Sequence, residues 1–223
     1  VEILTNTTVT GYREQDAALI AGDVEIKGDV LLVALGNKAN TVGLGLEENG
    51  VSLNQRGEIV VGEDFETTKE GVYAIGDVTD KVYKLAHAAS HAGVFVAEKL
   101  AGLTPHYSDE LVPRTVFASP EIAEVGVLEG KKSRFPFSAN GRALASGEAT
   151  GFVEVYGDGD RVNGVLIVGP DACELINLAG SLLASGGSRD HLAKAILSHP
   201  SFGEALFEAG LGLYGSAVHM IKR

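Results

Sequence analysis

Residues near the carboxyl end of the chain have types and spacing suited to proton transfer. His199 directly precedes Pro200, and Glu204 follows the histidine by five positions. The residue before a proline is pushed out of helical geometry, so His199 should lie just outside a helix that begins near Pro200 or Ser201. Glu204 could then bind one imidazole nitrogen while the other stays exposed. Such a carboxylate orients a general base, although a surface histidine that caps the helix would have the same spacing.

A second candidate site follows a short apolar segment that ends in Gly76 and Asp77. In α/β sheets, ligands collect beyond the carboxyl ends of strands, where Asp77 could accept hydrogen bonds from sugar hydroxyls and Gly76 would let a ligand approach. A helix predicted to begin at Leu85-Ala86-His87 would direct its first N–H groups at a carbonyl or anion of the same ligand. The alternative is an aspartate that caps a turn.

The remaining reactive residues give weaker indications of function. His87 and His91 have the spacing of metal ligands on a helix, but no carboxylate or cysteine accompanies them, so we predict no metal site. Cys173 is the single cysteine, which favours a small packed residue and a reducing compartment, the cytoplasm. The basic group at 131–134 is predicted to be a solvated turn. No Gly-x-Gly-x-x-Gly lies between a predicted strand and a predicted helix, the setting of a dinucleotide motif; the match at 210–215 falls in the last predicted helical segment.

The overall composition narrows the class of partner. The 223 residues include 18 Lys and Arg against 30 Asp and Glu, a net charge of −12, which disfavours nucleic acid and anionic membrane surfaces. The longest apolar run, Val30–Leu35, is far shorter than the roughly 20 residues of a membrane helix. The hydrophobic content of 45% is that of an ordinary globular protein.

The first half of the chain contains short apolar segments and one longer periodic one. Turns at Gly22-Asp23 and Gly28-Asp29 predict a β-meander, and Val30–Leu35 is typical of a strand buried on both faces. Short strands are also predicted at 58–61 and 72–75. A largely buried helix is predicted over 85–100, with Gly102 as its C-cap.

The polar, proline-containing segment 104–113 marks the preferred domain boundary. Beyond it, strands are predicted at 115–118, 124–127, 142–145, 152–156 and 162–168, the last two joined by a Gly-Asp-Gly-Asp hairpin turn. Three helices follow, at 173–184, at 189–197 and from about 200, with Asp171 and Ser188 or Asp190 as caps. This order predicts an α+β domain with an antiparallel sheet.

Taken together, these segments resemble the pyridine-nucleotide disulfide oxidoreductases, and most of all the dihydrolipoamide dehydrogenases among them. The motifs that carry the resemblance are, in chain order, Gly43-Leu44-Gly45-Leu46-Glu47, Arg56-Gly57-Glu58-Ile59, Tyr73-Ala74-Ile75-Gly76-Asp77-Val78, Leu85-Ala86-His87, Pro120-Glu121-Ile122-Ala123-Glu124-Val125-Gly126, Phe135-Pro136-Phe137-Ser138-Ala139-Asn140-Gly141-Arg142-Ala143, and His199-Pro200 with Glu204. The resemblance covers the second half of that family's chain, and the first residue is Val1 rather than methionine, so we expect a processed chain or part of a longer protein.

The resemblance implies a fold and a set of roles. Residues 1–35 would be the tail of the NAD domain, 36–108 the second part of the FAD region, and 109–223 an α+β dimerisation domain. Asp77 would bind the FAD ribitol and the Ala86 amide the flavin pyrimidine. His199, oriented by Glu204, would be the base that serves dihydrolipoamide at the disulfide of the partner subunit in a homodimer.

The implied reaction is the oxidation of dihydrolipoamide with NAD, the substrate being carried by the lipoyl domain of a 2-oxoacid dehydrogenase complex. The family's redox cysteine pair and both nucleotide motifs are not in this sequence. Only eight residues separate Gly126 from Phe135, fewer than the family's helix and turn at this point. The alternatives are a non-catalytic dimerisation module and a disulfide oxidoreductase of the glutathione or mercuric reductase kind.

Overall fold

A computed structural model describes residues 1–220 of the chain. Contacts divide the chain into two units, the first comprising residues 1–38 and the second beginning at residue 39. The first unit contains an antiparallel three-stranded sheet in the order β1-β2-β3, formed by Val9–Arg13, Ala18–Ala21 and Val24–Lys27. Gly22, with φ +61°, makes the turn between the last two strands, as the predicted meander requires.

The prediction of a buried strand at Val30–Leu35 is wrong. This run has no regular secondary structure, and its leucine and valine side chains are 45 to 88% exposed. A strand buried on both faces needs hydrogen-bonded neighbours on both edges and helices on its faces. None of the strands in residues 1–220 pairs with this run, so its apolar pattern has nothing to pack against.

The second unit begins with turns and isolated bridges rather than strands. Ile59 bridges to Leu53 on one side and to Thr79 on the other, and Tyr73 bridges to Glu66. In place of the strands predicted at 58–61 and 72–75 there are isolated bridges, at Ile59 and Val61 in the first segment and at Tyr73 in the second.

Helix α1 covers Ala86–Leu100, close to the predicted bounds. Only Ala88 and Ala92 are buried, so the expectation of a largely buried helix is wrong. Gly102 has φ +74°, and the next residue donates its N–H to the Glu98 carbonyl, which is the geometry of a glycine that ends a helix.

The core lies in an antiparallel five-stranded sheet with the order β4-β5-β8-β7-β6. Its strands are Arg114–Val116 (β4), Glu121–Gly126 (β5), Lys131–Pro136 (β6), Phe152–Asp158 (β7) and Arg161–Gly169 (β8). The predicted hairpin joins β7 to β8. Helices α3 (Ala172–Ala184) and α5 (Gly203–Gly212) pack on one face of the sheet, and α4 (Arg189–Lys194) lies between them in the chain. The predicted antiparallel sheet with three terminal helices is confirmed.

Three further local predictions in this unit are wrong. Residues 142–145, predicted as a strand, belong to helix α2, Gly141–Ser146, because the Asn140 side chain caps its first turn. The basic group at 131–134, predicted as a turn, forms the edge strand β6. Asp171 does not cap α3 with its side chain; the Glu121 carboxylate instead accepts the N–H of Cys173. Ser188 caps α4 as predicted.

Within residues 1–220, no helix combines the length and apolar character needed to cross a bilayer.

Candidate functional site

The loop before α5 carries the predicted proton-transfer residues. Phe202 is buried and packs edge-on against Phe137, with ring centroids 6.0 Å apart, which fixes the point where α5 begins. The preceding residues stay outside the helix, as expected of a residue next to a proline. His199 therefore projects from the surface, and its side chain is 76% exposed.

His199 and Glu204 are in direct contact. The imidazole Nδ1 lies 2.9 Å from Glu204 Oε1. The second carboxylate oxygen, Oε2, accepts the backbone N–H of Ser201 at 2.8 Å. Ser201 and Glu204 thus form one half of a capping box, the Ser-x-x-Glu pattern of a helix start. Because its carboxylate is fixed at both oxygens, Glu204 presents a defined acceptor to the imidazole.

The surroundings of Glu204 stabilise the ionised form of its carboxyl group. Burial by itself raises the pKa of this carboxyl group, but the hydrogen bonds from the Ser201 N–H and from His199 outweigh it, so that the pKa lies below its ordinary value. Glu204 is therefore ionised at neutral pH and accepts the Nδ1 proton of His199. In that tautomer, Nε2 is left with a free lone pair that faces away from Glu204.

The second predicted site lies at the 3-10 turn Gly76–Val78. Gly76 has φ +75°, a conformation that favours glycine, and a Cβ there would lie 3.3 Å from Ala89. The Asp77 side chain is exposed and has no hydrogen-bond partner within residues 1–220, whereas Thr79 donates its hydroxyl to the Gly76 carbonyl. Asp77 is thus available to a ligand and does not cap the turn.

The start of α1 also exposes polar backbone. Leu85 occupies its N-cap position and has no side-chain acceptor, so the N–H groups of Ala86 and His87 are not capped by it. Both of these residues are exposed. The His87 ring is held by a 2.8 Å hydrogen bond from Nε2 to the Pro113 carbonyl. The N–H groups at this helix start can donate hydrogen bonds to an acceptor oxygen of a ligand.

A cavity of about 680 Å³ lies between α1, α3 and β4, lined among others by His87, His91, His106 and Cys173. Burial raises the pKa of the Cys173 thiol, and the neighbouring Glu121 carboxylate adds to the effect, so the thiol is a poor nucleophile. In the described part of the chain, no three His, Cys, Asp or Glu side chains come together as a metal site.

Sequence reasoning missed Asn140, whose side chain bonds to the loop that carries His199. The signal was present, because asparagine is a favoured N-cap residue and the helix-forming residues Arg142, Ala143 and Leu144 follow soon after it.

Comparisons with known proteins show which family the chain resembles. A family model described as "Pyridine nucleotide-disulphide oxidoreductase" matches residues 1–93, and one described as its dimerisation domain matches residues 112–209. Among curated relatives, the dihydrolipoyl dehydrogenase of Trypanosoma brucei brucei is 43% identical over 86% of this chain and 42% of its own length. That of Thermus scotoductus is 39% identical over 100% of this chain and 52% of its own.

Solved structures show the same relationship. LpdA from Mycobacterium tuberculosis superimposes with a TM-score of 0.83 at 28% identity, over 94% of this chain and 48% of that one. RclA from Escherichia coli, an HOCl-induced flavoprotein disulfide reductase, superimposes with a TM-score of 0.79 at 25% identity, over 92% of this chain and 51% of that one.

The chain spans about half the length of the curated relatives it matches. The predicted resemblance and fold class are both confirmed, whereas the three domain boundaries and the roles of the site residues stay predictions. Two models of one family match in succession and together span most of the residues. The chain therefore belongs to the pyridine nucleotide-disulphide oxidoreductase family.

Proposed function

We propose that this chain acts as the second half of an FAD-dependent dihydrolipoyl dehydrogenase, which oxidises dihydrolipoamide with NAD. The observation that carries the proposal is the His199–Glu204 pair, whose imidazole is held by an ionised carboxylate at 2.9 Å and is otherwise open to solvent. A thiol substrate must lose a proton before it can attack a disulfide, and an oriented neutral imidazole is the side chain best suited to take that proton at neutral pH.

The direction of proton transfer follows from the tautomer. Glu204 accepts the Nδ1 proton, so Nε2 receives the proton of the thiol. The resulting imidazolium is stabilised by the adjacent carboxylate, which remains ionised. The exposure of His199 is consistent with a substrate that arrives from outside this subunit, carried by a lipoyl domain. It is also consistent with a disulfide supplied by the second copy in a homodimer.

When bound, FAD would carry electrons between that disulfide and NAD. Two features of this chain fit it: the Asp77 carboxylate, which has no partner within residues 1–220 and can accept hydrogen bonds from the ribitol, and the N–H of Ala86 at the start of α1, which can donate to the pyrimidine. The chain has one cysteine, Cys173, and its raised pKa argues against a redox role here. Such cysteine usage also favours a reducing compartment, the cytoplasm.

The base is tested by replacing His199→Gln in the complete polypeptide that carries this chain. Glutamine cannot accept the thiol proton, so dihydrolipoamide oxidation should fall at least about 10²-fold. Flavin absorbance should be unchanged, because His199 lies outside the predicted flavin contacts. The matched control is His219→Gln, since His219 Nδ1 is also paired with a glutamate, Glu208, at 3.1 Å. Its turnover should stay within about twofold of the original, and equal rates for both variants would remove His199 from the mechanism.

A non-catalytic dimerisation module is the second candidate, favoured by a row of apolar residues on the open face of the sheet. Val116, Ile122, Val168 and Phe152 are register neighbours across four strands, and Val116 is 55% exposed. Sedimentation and flavin absorbance discriminate the two functions. A colourless dimer would support the module, whereas bound FAD and turnover with dihydrolipoamide, but not with glutathione disulfide or mercuric ion, would support the proposed enzyme.

A further inference from the structure

We propose that Asn140 is a positioning residue for the His199 base, acting through the peptide of Ser201. This inference rests on the proposed function, and it adds a residue from a different part of the fold to the site. Asn140 belongs to the Phe135–Ala143 segment and is separated from Ser201 by 61 positions.

Both polar atoms of the Asn140 side-chain amide form hydrogen bonds. Its Oδ1 accepts the N–H of Ala143 at 2.9 Å, which caps α2. Its Nδ2 donates to the carbonyl of Ser201 at 3.0 Å. The residue is 3% exposed, so neither bond is readily replaced by water. One buried side chain thus ties the start of α2 to the loop before α5.

The Ser201 residue is consequently held from two sides. Asn140 binds its carbonyl, and Glu204 Oε2 accepts its N–H at 2.8 Å. The other oxygen of Glu204 is the one that contacts His199 Nδ1. A continuous chain of hydrogen bonds therefore runs from Asn140 through Ser201 and Glu204 to the imidazole. Loosening the first bond frees the loop on which both His199 and Ser201 lie.

Helix α2 also borders the imidazole directly. A Cβ added at Gly141 would lie 3.9 Å from His199 Cε1, an ordinary contact distance. The next residue, Arg142, lies over the ring of Phe202 at 5.7 Å. The first turn of α2 thus lies beside the imidazole, and Asn140 fixes that turn and the loop relative to each other.

A purely structural role for Asn140, as the cap of α2, predicts a different response to mutation. Asn140→Ser keeps an oxygen that can accept the Ala143 N–H, because serine is a good N-cap. Its side chain is too short to reach the Ser201 carbonyl as well. Asn140→Asp also keeps the cap and lacks the donor. If Asn140 only caps the helix, both variants leave His199 unchanged.

The test is NMR spectroscopy of the complete polypeptide that carries this chain, labelled selectively at histidine and glutamate and measured without turnover. The ¹⁵N shifts of the His199 ring, identified by their loss in His199→Gln, report its tautomer, and a ¹³C carboxyl titration reports Glu204. In the unmodified chain we expect a single Nδ1–H tautomer. In Asn140→Ser we expect averaged tautomer shifts and a Glu204 titration midpoint that moves up towards that of an ordinary glutamate. Asn140→Asp should show the same averaged tautomer shifts if Asn140→Ser does not fold.

The matched control is Thr41→Val, which removes another buried side-chain donor to a backbone carbonyl, that of Gly57 at 2.7 Å, without touching the His199 loop. Thr41→Val should leave the His199 ring shifts and the Glu204 titration midpoint unchanged. Unchanged His199 and Glu204 signals in a folded Asn140→Ser chain would overturn the positioning role. Because turnover is not measured, that result is distinguishable from a failure of the proposed enzyme, which would appear only in the His199→Gln kinetics.

Discussion

At the scale of single residues, two histidine–glutamate pairs lie on the same helix and have different surroundings. Glu204 and Glu208 are one turn apart on α5, and each binds the Nδ1 of a histidine. Glu208 is 8% exposed and also accepts the N–H groups of Val218 and His219, so it anchors the segment that follows the helix. A pair of this kind does not by itself identify a base; the loop before α5 and the adjoining turn of α2 distinguish His199.

Glu154 is a buried, ionisable residue of the sheet. It is 2% exposed and accepts hydrogen bonds from Lys132, Arg134 and Tyr156. Burial raises the pKa of Glu154, but these three bonds together outweigh burial and leave the pKa below its ordinary value. The hydrogen bond to Glu154, and to a lesser extent burial, raises the pKa of Tyr156 to about 12.

We therefore expect Glu154→Gln to lower the free energy of unfolding at neutral pH by about 1–3 kcal/mol, the scale of a lost charged hydrogen-bond group. Because the folded pKa of Glu154 is depressed, its contribution is complete above the unfolded value of about 4.5 and is lost as pH falls through the folded value. Urea unfolding at neutral pH and at about pH 3 should show the difference between the two proteins shrinking.

The control for this prediction is Glu124→Gln on the same sheet. Glu124 pairs with Arg114 at 2.7 Å, but both side chains are about one-third exposed. Exposed ion pairs contribute about 0–1 kcal/mol, so this variant should change stability little. An equal loss in the two variants, or a difference for Glu154 that is independent of pH, would contradict the assignment.

At the scale of elements, the connection from β5 to β6 passes close to the backbone of the sheet. These strands are separated by β8 and β7, so residues 127–130 must cross the end of that hairpin. The Val127 N–H binds the Asn163 carbonyl at 2.8 Å, and a Cβ at Gly164 would lie 2.3 Å from the Val127 oxygen. The short connection noted in the sequence is therefore possible only because the strand beneath it carries glycine.

Gly164→Ala should lower the free energy of unfolding by about 1–3 kcal/mol or more, because the obstructing atoms belong to the backbone and cannot rotate away. Gly180→Ala, in the middle of α3, is the matched control: a Cβ there has no neighbour within 4 Å. Replacing glycine by alanine inside a helix stabilises by about 0.5–1 kcal/mol. The two variants should thus shift the thermal unfolding temperature in opposite directions. A Gly164→Ala variant of unchanged stability would contradict the close passage of residues 127–130 over Gly164.

At the scale of the whole chain, the two units differ in how many hydrophobic side chains they bury. In the first unit, only Ala18 and Ala21 are buried hydrophobic residues. In the second, α3 and α5 cover a core that includes Phe135, Phe137 and Ile167. A small sheet without a hydrophobic face is marginally stable in water, whereas a packed sheet opens only by global unfolding.

Hydrogen exchange should therefore be uneven along the chain. We expect the amides of β1–β3 to exchange at least about 10²-fold faster than those of β7 and β8, measured by mass spectrometry of peptides from the intact chain. The buried central strands serve as the internal reference. Equal protection in the two sheets would show that the first unit is stabilised by contacts other than its own.

Local patterns determined the parts of this protein that depend on neighbours in sequence. The β7–β8 hairpin, helix α1 with its terminal glycine, and the proximity of Glu204 to His199 all follow from turn, capping and periodicity rules that act over a few residues. The family could also be recognised from its motifs in order. The predictions for Val30–Leu35 and for 142–145 failed because each short run suits more than one structure, and its neighbours decide between them.

Only the tertiary structure decided which distant residues share a site. The bond from Asn140 to Ser201 joins residues 61 positions apart, and the crossing of Val127 over Gly164 depends on the strand order of the sheet. Such contacts arise when the core packs, because burial brings polar groups together and requires each of them to find a hydrogen-bond partner. Sequence spacing therefore indicates the base and its carboxylate, whereas packing determines what holds them in place.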